Sequence, residues 1–530
     1  MVETPRGGRD HTALSRRGLL RAVGLASAAG AAGAFAPAAV ARSATSETRV
    51  YRGRFSVGAP DWFYLPVEVP RGIRELTVKY SYDRPTPPPG VPGNALDIGI
   101  FSPAGHELGN SAGFRGWSGG FRDTFTISAS SATPGYLPGP VGAGTWHVTL
   151  GPYTVAPQGL EWTVEVTLTS GPAGAAFIPR PAPRHARGRG HAWYRGDLHV
   201  HTVHSDGART PEELVAGAVA AKLDFVVSTE HNTSSASGIW GAVLEAAGVD
   251  RLLVVDGEEI TTRSGHFVAA GLKPGQWIDW RYRAADNALP AYLRQIHRVG
   301  GVAIAAHPYC PFVGCAWSFG YTGMDGIEVW NGPWTLDDEY AVRLWSEQLT
   351  AARWLPAVGN SDAHREPQVI GLPQTVVRAE TLSRDAVLAG VAAGRSYLAE
   401  SAAVSARLTA AAGWRRAGMG ERLRGTPGEQ VVVTASVLGA PGCRMRLLTE
   451  AGVVAEGPVP AHGIGRLDYP TRYGAARYVR LEVRRPVPPD STPDTTPDTT
   501  PGTTPGTMVV LSNPVFLSAA EAQPSSTDLA

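Results

Sequence analysis

Between residues 48 and 170, apolar and polar positions alternate in short runs. The segments "ELTVKYSY", "ALDIGIF", "DTFTIS", "TWHVTL" and "EWTVEVTLTS" place β-branched, aliphatic or aromatic residues at every second position, with Gly and Pro turns between them. A period of two puts those side chains on one face of a strand, and several such strands in succession predict a β-sandwich. Trp117, Trp146 and Trp162 read as core residues of that sandwich, with sugar binding through exposed rings as the alternative.

A Pro/Arg/Gly linker, "GPAGAAFIPRPAPRHARGRGH", follows at 171–191. From 193 to 400 the texture changes. Apolar strand-like runs ("DFVVSTE", "RLLVVDGEEI", "HFVAAGL", "GVAIAAHP", "GIEVWNG", "WLPAVGNSDAH") alternate with helical patterns. The clearest helix starts at Thr210: Thr210 caps, Pro211 suits the first helical position and Glu213 closes a capping box. Leu214, Val215, Ala218 and Val219 then form an apolar face. Repeated strand–helix units imply a parallel sheet, open or closed into a barrel. Residues 401–520 return to β character, interrupted at 486–507 by a Pro/Thr repeat that has no apolar surface to bury and is expected to be a disordered insertion.

Residues 1–41 do not belong to this pattern. Arg16 and Arg17 precede an apolar Gly/Ala-rich stretch that ends in Ala39-Val40-Ala41, the layout of a twin-arginine signal peptide. The alternative, a single anchoring helix, is poorly served by so short a run. The chain is therefore expected to engage the twin-arginine export machinery and to reside outside the cytoplasm, extracellular, periplasmic or at the cell surface, with no membrane anchor after cleavage. Lys and Arg number 48 against 47 Asp and Glu, a balance that offers nothing for nucleic acid or a membrane surface. Of the three cysteines, Cys310 and Cys315 are near enough in sequence to pair if a turn joins them, leaving Cys443 over.

The chemistry gathers where the middle strands end. "DLHVHTVHSDG" supplies His199 and His201, two apart and so able to hold one ion together, followed by Asp206. "STEHN" adds His231, "DGEEITT" adds Glu258 and Glu259, "GHF" adds His266, "AHP" adds His307, and "GNSDAH" adds Asp362 and His364. A single histidine at a strand end is ordinarily structural. Successive strand ends that each deliver His, Asp or Glu converge on one face of an α/β sheet, where sites are built. Imidazole with carboxylate suits zinc, manganese or iron, and the set exceeds the needs of one ion, which implies two or three.

In order and content these motifs resemble the polymerase-and-histidinol-phosphatase (PHP) family of metal hydrolases over residues 193–400. The export signal, the "GH" after the acidic motif and the terminal "SNPVFLS" resemble an exported branch that includes carbaryl-type ester hydrolases. The resemblance implies a distorted seven-stranded β/α barrel, flanked here by the N-terminal sandwich and the C-terminal β-rich region. It implies that His199, His201 and Asp362 hold one ion, that Glu259 rather than Glu258 bridges to a second held by His266 and His307, and that Asp206, His231 and His364 hold a third. A hydroxide between two ions, held by the set His199, His201, Glu259 and Asp362, is then the expected nucleophile.

Several cations in one pocket favour an anionic substrate, so a phosphoesterase is the leading expectation. A carboxylester or carbamate hydrolase on the same ions is the alternative, and a non-catalytic surface binder is the alternative from another class. Arg263 and Arg365 adjoin ligands and read either as a phosphate clamp or as surface arginines paired with carboxylates such as Glu366. His204 has no assigned ion and reads as solvent-facing, or as a proton donor. Asp197 reads as support for its neighbours.

Overall fold

The computed structural model describes residues 45–87, 90–486 and 506–517. The expected export segment lies outside these residues, as does most of the Pro/Thr insertion.

The N-terminal strands form two four-stranded sheets. In one, Ser46–Phe55, Leu160–Ser170, Ile73–Tyr82 and Thr124–Ser128 lie in that order; in the other, Phe63–Val69, Gly144–Thr154, Ala95–Phe101 and Phe114–Gly119. The alternation read from the sequence sets their faces. Along Leu160–Ser170, Leu160, Trp162, Val164, Val166 and Leu168 are buried while Glu161 faces out. Trp146 and Trp162 join this core, but Trp117 does not. Trp117 lies on the outer side of the second sheet, among Phe101, Phe114, Trp277 and Trp280 of a different cluster. Two glycines make room there: a Cβ at Gly99 would stand 2.5 Å from the Trp117 ring, and one at Gly151 would stand 2.8 Å from Trp62.

The central sheet is mixed α/β. From one edge its strands run Ala357–Asn360, Gly326–Asn331, Val302–Ala305, Gly265–Ala270, Leu253–Thr262, Phe225–Ser228, Ala192–Val200, Gln374–Ala379 and Ser396–Ala399. Phe225–Ser228 is parallel to both neighbours, whereas Leu253–Thr262 and Gly265–Ala270 form an antiparallel hairpin. Five α-helices accompany it among the described residues. The helix Pro211–Ala220 has the expected Thr210 cap and Glu213 capping box.

The closed barrel does not form: the ladder is open. After Asn360 the chain turns through Asp362 at φ 46°, a left-handed value that ends regular pairing. The edge nevertheless meets Ala192–Val200 through isolated contacts. Val200 and Ala363 make one parallel bridge, the Leu198 N–H donates to Asn360 Oδ1 at 2.9 Å, and the Asp362 N–H donates to the His199 carbonyl at 2.9 Å. The ring is therefore completed by a loop instead of a strand pair.

Strands beyond residue 401 divide. Met508–Ser512, Tyr478–Arg484, Arg444–Thr449 and Gly452–Pro458 extend the central sheet beyond Ser396–Ala399. Arg415–Gly418, Ser405–Ala412, Gln430–Leu438 and Ile464–Arg472 form a separate sheet that shares a core with them through residues such as Leu408, Val433, Leu447 and Leu481. Cys310 and Cys315 are joined by a disulfide, and Cys443 is a buried free thiol. Among the described residues no helix is long and apolar enough to cross a membrane.

The close approach at Gly99 gives a stability prediction. Gly99→Ala forces a methyl against the Trp117 ring and the Gly116 carbonyl and is expected to lower stability by roughly 1–3 kcal/mol, measured by urea denaturation.

Candidate metal centre

All nine residues expected to be ligands meet at one end of the central sheet. Their ligand atoms fall into overlapping groups: His199, His201 and Glu259; His199, His307 and Asp362; His201, Asp206, His231 and His364; and His266 and His307 beside the disulfide-bonded Cys315. Glu259 sits in the middle. Its Oε2 is 3.2 Å from His199 Nε2, 3.4 Å from His201 Nε2 and 2.8 Å from His231 Nδ1. Its Oε1 is 3.0 Å from His266 Nδ1 and 3.2 Å from His307 Nε2. Asp362 Oδ1 completes the first group, 3.0 Å from His201 Nε2 and 3.4 Å from His199 Nε2. Asp206 lies 3.4 Å from His231 Nε2 and 3.2 Å from His364 Nε2.

These separations suit shared cations. Ligand atoms about 2.0–2.2 Å from one ion stand about 3.3–3.6 Å apart at the corners of a tetrahedron and about 3.0 Å apart in an octahedron. The polar atoms make the same point. His199 Nε2, His201 Nε2, Asp206 Oδ1, Glu259 Oε2, His266 Nε2 and Asp362 Oδ1 are buried and have no hydrogen-bond partner. Orphaned polar atoms are costly, and these six all belong to the nine clustered residues, which could hold metal ions. The backbone is strained here too: His307 has φ 25° and Asp362 has φ 46°, values uncommon outside glycine and concentrated at functional sites.

Electrostatics bind the cluster. Burial pushes Glu259 and Asp362 toward protonation, but the surrounding imidazoles, His231 and His199 on Glu259 and His199 and His201 on Asp362, hold both well below the usual carboxylate range. Burial depresses His231, yet Glu259 and Asp206 override it and raise it to about 10. His201, buried and beside His364 and His231, is lowered to about 4.

The doublet resolves by strand alternation. Glu258 points to the opposite face, where its Oε2 accepts the Ile278 N–H at 2.8 Å and burial pushes its carboxyl well up. Asp197 accepts from Ser361 Oγ at 2.5 Å and from the Gly371 N–H at 2.8 Å, pinning the segment that leads to Asp362. His204 is not solvent-facing: its Nδ1 is 2.9 Å from Ser235 Oγ, and burial lowers it to about 4.

The two arginines part company. Arg263 donates to Asp61 Oδ1 at 3.0 Å and to the Pro152 carbonyl at 3.0 Å, so its guanidinium is partnered by the sandwich at the wall of the cavity it lines with Asp206, His231 and His266. Arg365 is exposed at the cavity beside His364, and its guanidinium has no partner among the described residues; Glu366 instead pairs with Arg209 at 2.8 Å.

Two carboxylates went unread in the sequence. Glu328 is buried on Gly326–Asn331, with Oε1 3.2 Å from His199 Nδ1 and Oε2 accepting the His307 N–H at 3.0 Å. It orients His199 so that Nε2 faces Glu259, as carboxylates behind metal-binding histidines commonly do. Its signal was a lone acid inside the apolar run "GIEVWNG". Glu230 accepts from Thr202 and Ser205 hydroxyls, each at 2.6 Å, and so fixes the loop that carries Asp206.

Two cavities meet at the centre. One of about 720 Å³ is lined by His307, Asn331, Asp337, His364 and Arg365 among others. An aromatic one of about 460 Å³ runs between the sandwich and the centre, past Trp62, Trp117, Tyr153 and Trp280. Asp206, His231 and His266 line both, as do Cys315 and the exposed Phe121 and Phe312.

No family model matches the sequence. An uncharacterized protein of Methanocaldococcus jannaschii is 28% identical over 158 residues, covering 26% of this chain and 81% of its own length. Among solved structures, the chain is similar to a two-domain protein from Bacteroides vulgatus containing a predicted PHP-like metal-dependent phosphoesterase, at 18% identity and TM-score 0.34, covering 59% of this chain and 95% of that one. It is also similar to an amidohydrolase from Chromobacterium violaceum with bound sulfate and no metal, at 20% identity and TM-score 0.25, covering 33% of this chain and 89% of that one.

The central position of Glu259 is testable by metal analysis. Glu259→Gln is expected to lose at least about one ion per chain relative to the parent, since a carboxamide gives up the charge that several imidazoles share. Glu258→Gln, which alters the opposite face, is expected to retain the full complement.

Proposed function

We propose that the chain is an exported metal-dependent phosphoesterase of the PHP class, holding three divalent ions. The observation that carries this reading is the meeting of nine His, Asp and Glu ligands, with their buried orphaned atoms, at a cavity whose exposed edge presents the unpaired Arg365.

His199, His201, Glu259 and Asp362 would hold one ion, Glu259 with His266 and His307 a second, and Asp206, His231 and His364 a third. When bound, such ions lower the pKa of coordinated water toward about 7 and polarise the attacked group. The chain's own residues do the rest. Arg365 offers a planar fork to the phosphoryl oxygens of an incoming anion. Glu328 and Glu230 keep the ligands in place before substrate arrives, so that little reorganisation is left for the reaction.

A second reading, a carboxylester or carbamate hydrolase on the same ions, is favoured by the aromatic cavity, whose apolar walls accept a neutral substrate. A chromogenic panel separates the two. The metal-loaded protein is expected to turn over phosphomonoesters or phosphodiesters, and Arg365→Ala is expected to raise KM for them by about tenfold, the loss of one charge-assisted contact. Turnover of carboxyl esters alone would sink the phosphoesterase reading. No turnover of either class by the loaded protein would sink both.

Export through the twin-arginine machinery, and membership of the exported branch that includes carbaryl-type hydrolases, belong to the same proposal. Replacing Arg16 and Arg17 with lysine is expected to leave the protein in the cytoplasmic fraction, as followed by immunoblotting; unchanged export would contradict it.

A further inference from the structure

The aromatic cavity contains a feature that hydrolysis at the metal centre does not require. Asp97 lies on Ala95–Phe101, whose alternate residues Leu96, Ile98 and Ile100 fill the sandwich core, so its carboxylate faces outward into the cavity. There it has no hydrogen-bond or ion-pair partner among the described residues. Burial pushes its carboxyl up to about 7, and Arg263 acts on it only through space, being bonded to Asp61. Around it stand indole rings. Trp62 and Trp117 meet edge to face at 5.6 Å, and Trp117 and Trp280 are 4.6 Å apart. Gly99 and Gly151 are the positions whose missing side chains let these rings lie against the sheet. Tyr153 adds a further ring, and its hydroxyl donates to the Val313 carbonyl at 2.6 Å, tying the sandwich to the disulfide loop.

A half-buried carboxylate among aromatic rings is unfavourable unless something donates to it. Three kinds of ligand group compete for the place. A plain aryl group would cover the exposed Phe121 and Phe312 rings and leave Asp97 without a donor. An alkylammonium group would pair with Asp97, but Arg263 already places its guanidinium 4.9 Å from the Trp62 ring centre and 5.1 Å from that of Tyr153. Those cation seats are taken, and a further cation would face both Arg263 and the loaded ions. A neutral saturated ring carrying neighbouring hydroxyls meets these requirements. Its C–H faces cover the exposed Phe121 and Phe312 rings, its hydroxyls donate to Asp97, and it brings no charge.

We infer that the aromatic cavity is the subsite for the leaving group, and that this group is a glycosyl or similar polyhydroxylated ring, with Asp97 as its specificity-determining acceptor. The inference rests on the phosphoesterase reading for the other half of the substrate: the phosphoryl group would sit toward Arg365, and the hydroxylated ring would reach back past Phe121 and Phe312 to Asp97. The sandwich then has a role in function, because it supplies Asp97, Trp62, Trp117 and Tyr153 to a cavity whose other wall is the metal centre.

Calorimetric titration of the full metal-loaded chain with methyl α-D-glucopyranoside tests the subsite directly, alongside choline as the competing probe. Saturable binding of the glucoside in the millimolar range is expected, weakened at least tenfold in Asp97→Asn. That variant removes an unpartnered charge, so its melting temperature without ligand is expected to rise, by about 1–3 °C. A purely structural aspartate would give a lower melting temperature instead. The preference for glucose 6-phosphate over phenyl phosphate, read as a ratio of kcat/KM, is expected to fall at least tenfold in the same variant. Three outcomes would each overturn the inference: no glucoside binding, tighter binding of choline, or glucoside binding and melting temperature unaltered in Asp97→Asn. Glucoside binding without phosphoester turnover would refute the phosphoesterase reading and leave the subsite standing. Phosphoester turnover without glucoside binding would do the reverse.

Discussion

A single buried carboxylate organises this protein. Glu259 is inaccessible to solvent and stands within 3.4 Å of imidazole nitrogens from five histidines. One carboxylate cannot neutralise that many imidazolium ions, and neutral imidazoles packed around it leave lone pairs with nothing to accept. Divalent cations solve both problems at once, since each replaces several protons and takes several lone pairs. The fold arranges the same economy in its outer layer, where Glu328 turns His199 and Glu230 holds the loop before Asp206.

That constraint explains why the sheet departs from a closed ring. The ligands Asp362 and His364 come from a segment that leaves regular pairing at Asn360, and the left-handed turn at Asp362 aims its carboxylate at His199 and His201. A further pair of ladder hydrogen bonds would have required extended backbone there. The chain keeps one bridge, Val200 to Ala363, and gives the remaining positions to ligands.

The N-terminal sandwich is equally tied to the centre. Its second sheet presents glycines, indoles and Asp97 outward, where an isolated sandwich would present polar residues. Trp62, Trp117 and Trp280 interlock across the boundary, and the Arg263–Asp61 pair joins strand ends 202 residues apart. The metal centre and the aromatic cavity thus share a wall, and neither cavity is complete without both regions.

Much of the centre was legible because its information is local. Histidines two apart on a strand share a face, and strand ends in an α/β sheet converge, so the spacing in "DLHVHTVHSDG" and the motifs after it pointed to the clustering of these His, Asp and Glu side chains without coordinates. The Thr210 capping box was legible for the same reason. What stayed hidden depends on pairings between distant segments. Composition and spacing say nothing about Asp61 reaching Arg263, about Ser235 enclosing His204, or about which of three tryptophans leaves the sandwich core. Nor do they distinguish a closed ladder from one completed by a loop. Periodicity along the chain was enough to single out the candidate ion-binding residues and the order in which the strands deliver them. Folding left the Arg365 guanidinium without a partner among the described residues while Arg263 pairs with Asp61, put Glu328 behind His199, and turned Trp117 and Asp97 toward the centre. Each of those outcomes is set by packing between segments that the chain brings together only once it is folded.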